Sequence, residues 1–247
     1  MGDYSKLLMT IFDCTRPMLF VNEDPNYPVS IQGTGFIVRF RKRYFVLTAR
    51  HVIKGFSFQQ VRFQYHPNSS DFVPLQRPYE ISGDDSDDTD QYDVIVFSVE
   101  DSALDYEKFD GYLPYDLSEL DALTIFNPTA SYAFRGFPTH LRTTEYEQRR
   151  VDMESILADG RYGGPSIRRE MHVLRINRAR EIASFDGLSG SPIFQINHTD
   201  SRISQQAFAG MVVLGTAAAG TLEFLEHRKI IDALTKIVDG DVDPYDK

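Results

Sequence analysis

The sequence predicts a mainly β protein that ends in one helix, and three observations predict it. Short runs rich in β-branched and aromatic residues recur along the chain, turn-rich text such as HPNSSD and RYGGPS separates them, and the apolar period lengthens only in the last segment. Taken in order, Gly35 to Phe40 follows the small residue Gly33 and runs into a basic turn at Arg41 to Arg43, which reverses the chain into Tyr44 to Thr48. Val61 to Tyr65 is bounded by HPNSSD, and Val94 to Val99 is almost wholly apolar, as a buried strand is. Ser131 to Gly136, His172 to Ile176, Pro192 to Ile196 and Ala207 to Gly215 continue the series, with Pro192 at a strand start, where a missing N–H is tolerated. From 222 to 238 the spacing predicts a helix. Leu222, Leu225, Ile231, Leu234 and Val238 fall on one face, with Glu223 and Glu226 early, Lys236 late and Gly240 just beyond. The acidic, weakly patterned stretch 101–123 reads as a connection between halves at roughly 15–110 and 124–220 of one domain spanning the 247 residues.

Composition excludes several function classes. With 26 Lys and Arg against 36 Asp and Glu the chain carries a formal charge of -10, which repels phosphate backbones and anionic membranes, so no nucleic acid and no membrane partner is expected. No apolar run approaches the length of a membrane span, and the N-terminal text, with Asp3 and charge-broken apolar runs, lacks the plan of a secretion signal. A single cysteine, Cys14, permits no intrachain disulfide and fits a reducing compartment. The expected location is therefore cytoplasmic.

Three separated segments carry the chemistry. Residues 33–56 read GTGFIVRFRKRYFVLTARHVIKGF, and His51 stands where a strand leaves for a short helical turn. In QYDVIVFSV, Asp93 stands at the mouth of an apolar strand, where a carboxylate can orient an imidazole. In SFDGLSGSPIF, glycines and serines crowd before a proline, which marks a place where backbone must come close to something. His, Asp and Ser in this chain order, each at an element boundary, resemble the chymotrypsin-type serine proteases, the bacterial trypsin-like and HtrA-type members in particular. The carrying motifs are GTGF with VLTARHV, YDVIVF and DGLSGSP.

The resemblance implies two perpendicular six-stranded antiparallel β-barrels with the active site in the cleft between them. It implies His51 as general base, Asp93 as the carboxylate that fixes the imidazole tautomer, and Ser189 as nucleophile. The N–H groups of Gly187 and Ser189 would form the oxyanion hole. Ala183 would lie at the base of the substrate pocket, with Ser184 inside it and Val213, Leu214 and Gly215 along one wall. An uncharged base and apolar walls imply cleavage after small or medium apolar residues, since burying an unpaired cation costs several kcal/mol.

Other readings stay in view. Ser191 competes with Ser189, and Asp88 and Asp90 compete with Asp93. The GxSxG elbow of α/β-hydrolases fails because Ser191 replaces the second glycine, and because only His198 and His227 follow the serine. The run GDDSDDTDQYD lacks the glycine and late glutamate of a calcium loop and reads as a solvated hairpin loop. The Arg-rich text from 142 to 180 is interleaved with acids, His140 and His172 match no zinc spacing, and Cys14 reads as a spectator. The sequence thus predicts a serine endopeptidase with a protein or peptide substrate and no metal or organic cofactor. The alternatives are a catalytically silent protease-fold binding module and a protease that an effector must activate.

Overall fold

In the computed structural model the described residues are 3–81, 92–118, 121, 124–145, 147, 150–168, 170–199 and 202–244. The acidic run read as a hairpin loop, with Asp88 and Asp90, lies almost wholly outside them, and only Tyr92 and Asp93 of it are described. The chain begins with helix α1 (Asp3–Cys14) and passes directly into β1 (Thr15–Val21). Strands β2 (Val29–Phe40), β3 (Arg43–Ala49), β4 (Val61–Arg62), β5 (Leu75–Ile81), β6 (Val94–Val99) and β7 (Tyr115–Asp116) complete the first sheet. Its hydrogen-bonded order is β4-β1-β2-β3-β6-β5, and β7 pairs in parallel with β2. The expected six-strand path is present, but its ends do not pair with each other. The reason is local: β4 has two residues, while β5 carries Pro78 and a register shift between Leu75 and Pro78, so neither end offers a continuous ladder. This half is a half-barrel.

The second half closes. After β8 (Ser131–Gly136) comes a separate two-stranded hairpin, β9 (Arg142–Glu145) and β10 (Arg150–Met153). Strands β11 (Ile156–Pro165), β12 (Met171–Ile176), β13 (Pro192–Thr199), β14 (Arg202–Thr216) and β15 (Thr221–Glu226) then join β8 in a closed six-stranded barrel, in the order β11-β12-β15-β14-β13-β8. The last helix, α2 (His227–Asp239), ends on Gly240 in the left-handed region. Residues 222–226, read above as its first turn, form strand β15 instead. Leu222 and Leu225 are three apart, a spacing that suits a helix, but Leu222 and Phe224 alternate into the barrel core and Leu225 packs into the other cluster beside α2.

Two apolar clusters fill the molecule. The larger is built around Phe20, Phe36, Phe45, Val46, Phe97 and Phe208, and it runs from the half-barrel through Met211 and Leu225 to Ile230 and Leu234 of α2. The smaller, with Tyr132, Phe134, Leu174, Ile193 and Leu222, lines the closed barrel. Among the described residues no helix is long and apolar enough to cross a membrane.

Helix α1 packs where the halves meet, and its C-terminal end draws in two guanidinium groups. Arg16 of β1 donates to the carbonyls of Phe12 (2.9 Å), Thr15 (2.8 Å) and Tyr65 (3.1 Å), while Arg135 of β8 donates to Phe12 (2.9 Å) and to the hydroxyl of Ser155 (2.9 Å). Both are buried, and no carboxylate pairs with either among the described residues. Burial therefore pulls both down, Arg16 to about 10 and Arg135 to about 10. The unsatisfied carbonyls at a helix C-terminus carry partial negative charge, which is where cations are favoured. The ring of Phe12 lies 4.3 Å from the Arg135 guanidinium, and that of Tyr112 lies 4.9 Å from Arg16.

Candidate active site

His51 sits on a single 3-10 turn (Arg50–Ile53) that begins as β3 ends, with Val52 and Ile53 buried beneath it. The turn is fastened to the start of β6. Asp93 has φ +46, a left-handed conformation that aspartate tolerates better than most residues, and its carbonyl accepts the N–H of Arg50 at 2.8 Å. With the backbone so placed, one carboxylate oxygen of Asp93 accepts the backbone N–H of His51 at 2.9 Å and the other meets His51 Nδ1 directly. Both oxygens are thus spent on one residue. A proton held on Nδ1 by the carboxylate leaves Nε2 with its lone pair free, which is the form that acts as a base. The imidazole is exposed and the carboxylate is largely covered, at 45% and 21% side-chain exposure.

The loop before β13 presents a run of fixed peptide units. The carbonyl of Asp186 accepts the N–H of Thr139 at 2.8 Å, and that of Leu188 accepts the N–H of Ser191 at 3.1 Å. All peptide bonds here are trans, so the N–H of each unit points opposite to its carbonyl. The N–H groups of Gly187 and Ser189 belong to these same two units, and neither has an acceptor among the described residues. Gly187 has φ +92, and a Cβ there would lie 2.4 Å from the Phe137 carbonyl, so the turn requires glycine. Gly190, at φ +89, is held closer still: a Cβ would lie 1.8 Å from the carbonyl of Thr34.

The serines differ sharply. Ser191 is fully buried, and its hydroxyl has no partner among the described residues. Ser189 is partly exposed, and its hydroxyl donates to the Val213 carbonyl of β14 at 3.1 Å rather than to His51. The structure therefore joins His51 to Asp93 and leaves Ser189 turned toward its own barrel. Of the pocket residues, Ala183 and Leu214 are exposed, Ser184 and Gly215 half-buried and Val213 buried. Leu222 and Phe185 lie on Gly215: a Cβ on that glycine would stand 2.8 Å from Leu222 Cδ2 and 2.9 Å from Phe185 Cβ. Sequence reasoning passed over Phe185, Thr139 and Thr34. Only Thr34 carried a visible signal, as the one hydroxyl between the glycines of GTGF.

No family model and no curated protein matches the sequence. Among solved structures the chain is similar to the crystal structure of a scabies mite inactivated protease paralogue, S-D1, with a TM-score of 0.59 over 96% of this chain and 97% of that chain, at 14% identity. Likeness at that identity speaks to architecture. With one closed six-stranded barrel, one half-barrel sheet and the C-terminal helix, the chain has a chymotrypsin-like, protease-type fold.

Proposed function

We propose that the protein is a serine endopeptidase that works through an acyl-enzyme, with His51, Asp93 and Ser189 as its triad. The observation that carries this reading is the double engagement of His51 by Asp93, which fixes both the place and the tautomer of the ring. In the reaction Ser189 Oγ leaves the Val213 carbonyl and attacks the scissile carbonyl carbon as its proton passes to His51 Nε2. The developing oxyanion takes the free N–H groups of Gly187 and Ser189, each such donor typically worth about 3 kcal/mol. His51 then delivers its proton to the leaving amine as the C–N bond breaks. Water reverses the sequence, giving up a proton to His51 and releasing the acid from Ser189. No metal or organic cofactor takes part in this scheme, and a protein or peptide is the substrate. Exposed Ala183 and Leu214, with Phe185 over Gly215, support a shallow uncharged specificity site and cleavage after small or medium apolar residues. The single buried cysteine supports a cytoplasmic setting.

A second reading has its own observation. The Ser189 hydroxyl rests on Val213 and not on His51, and the similar structure is that of an inactivated protease paralogue, which favours a silent or effector-dependent protease-fold binding module. Fluorophosphonate labelling followed by peptide mapping separates the two. The peptidase reading expects an adduct on Ser189 that Ser189→Ala abolishes and Ser191→Ala retains, with a peptide library cut after apolar residues. An adduct on Ser191, or none, overturns the triad; dominant cleavage after Arg or Lys overturns the specificity reading alone.

A further inference from the structure

The four successive carbonyls from Asp186 to Ser189 are held by different parts of the molecule, and one of them is held by a side chain. Asp186 is held by the N–H of Thr139, Leu188 by the N–H of Ser191 and Ser189 by the N–H of Thr34 at 2.9 Å, all backbone groups. The Gly187 carbonyl instead accepts the hydroxyl of Thr34 at 2.8 Å. That hydroxyl also accepts the N–H of Phe137 at 2.9 Å, so its proton has one direction left and must point at Gly187. The carbonyl of Thr34 in turn accepts the hydroxyl of Thr48 at 2.7 Å, on the strand that leads to His51. Thr34 is fully buried and stands opposite Pro17, beside the register shift between Pro17 and Leu19, where the β1–β2 ladder is interrupted. One residue of the half-barrel therefore ties down the loop of the closed barrel at two sites, Ser189 with its amide and Gly187 with its hydroxyl.

We propose that Thr34 is the positioning residue for the anion-stabilising loop. It sets the plane of the Gly187–Leu188 peptide and, through it, the direction of the two free N–H groups on either side. The proposal rests on the peptidase reading for its kinetic consequence and on geometry alone for the hold itself. A loop held only by backbone groups on its remaining carbonyls keeps its path when the hydroxyl is lost, but the Gly187–Leu188 plane is then held at one end only, by the Leu188 N–H on the Phe185 carbonyl.

The test compares Thr34→Val, which keeps the shape and removes the hydroxyl, with Thr34→Ser, which keeps the hydroxyl. On a peptide substrate Thr34→Val is expected to lower kcat about 100-fold while KM stays within about threefold, and Thr34→Ser to stay within about threefold of the parent in both. The second readout needs no activity. The Leu188 N–H lies in the same peptide plane as the Gly187 carbonyl and donates to Phe185 at 3.1 Å, so its hydrogen exchange should quicken roughly tenfold in Thr34→Val and not in Thr34→Ser, with β12 amides unchanged. Unchanged Leu188 exchange in Thr34→Val overturns the hold, and unchanged kcat with quickened exchange overturns its catalytic role. If the parent protein hydrolyses nothing, the peptidase reading falls and the exchange result decides the hold by itself.

Discussion

The half-barrel and the closed barrel contribute to the site in different states of readiness. In the half-barrel Asp93 and His51, the proposed acid and base, touch at one end of one sheet, joined by two contacts from one carboxylate and braced by the Arg50 N–H to Asp93 carbonyl bond. In the closed barrel the loop of Ser189, the proposed nucleophile, is also held at its backbone, yet the Ser189 hydroxyl is spent on Val213 of the same barrel. His51 and Asp93 join without the other half, whereas in the proposed triad Ser189 acts only once its hydroxyl leaves the Val213 carbonyl. The sheet whose edges stay open thus holds the joined His51–Asp93 pair, and the closed barrel holds the serine whose hydroxyl is bonded within it.

That contrast can be broken most forcefully at the finished pair. Asp93→Asn keeps the shape of the side chain but offers an N–H where His51 needs an acceptor, so the ring flips its tautomer and Nε2 loses its basic lone pair. Peptide hydrolysis is expected to fall about 10⁴-fold, as for such a change in a Ser-His-Asp triad, with the melting temperature little altered. A loss under tenfold would mean that the pair is structural.

The seam between the halves offers a sharper test of stability. Gly190→Ala forces a Cβ into the carbonyl of Thr34 at a left-handed φ, and is expected to cost about 3 kcal/mol from crowding and backbone strain together. Gly111→Ala, also at positive φ but with nothing within 4 Å of a Cβ, carries the strain alone and should cost about 1 kcal/mol. Equal losses in thermal unfolding would show that the seam yields. The same substitution at Gly190 should also perturb Ser189, which Gly111→Ala leaves alone.

How far these regions were legible in the sequence follows from what each residue had to satisfy. Strands β6 and β8 were read at their own limits because apolar text ended at Asp93 and at Gly136. Strand β1 was missed, since TRPMLFV hides a buried arginine and a proline among its apolar residues, and neither belongs to strand text. Helix α1 was missed because the N-terminal text was weighed only as a possible leader. The candidate triad was visible as three motifs in order, but where a serine hydroxyl rests depends on a rotamer about one bond, and no pattern of residue types records it. Thr34 was visible as a residue and invisible as a hub, because its four partners come from segments up to 155 positions away, at Ser189.

The smallest expected effect lies at the start of α2, where the closed barrel meets its helix. His172 Nδ1 meets the Tyr162 hydroxyl at 2.8 Å and its Nε2 meets Glu226 at 3.3 Å; Arg228 adds positive charge beside the carboxylate, and Phe126 packs on the His172 and Tyr162 rings. The His172 hydrogen bond holds the Glu226 carboxyl below its ordinary value. A carboxyl lowered in this way adds stability above its unfolded value, and that stability is lost as pH falls through the lowered folded value. Glu226→Gln should therefore melt about 2 °C lower near neutrality, with the gap closing in acid below about pH 4. A gap that widens in acid would reverse the assignment. No matching change is expected in the half-barrel, whose His51–Asp93 pair is untouched by Glu226.

The arginines that converge on the end of α1 give that helix a part in assembly. Arg16 comes from one half and Arg135 from the other, and both find their acceptors on the same few carbonyls. Without the helix both cations would lose the Phe12 carbonyl and the nearby charge of Asp13 while remaining in an apolar seam. The last turn of α1 thus works as a latch that takes a hydrogen bond from each half. A chain shortened past Phe12 would keep every residue of the proposed triad and lose the helix carbonyl that both arginines share.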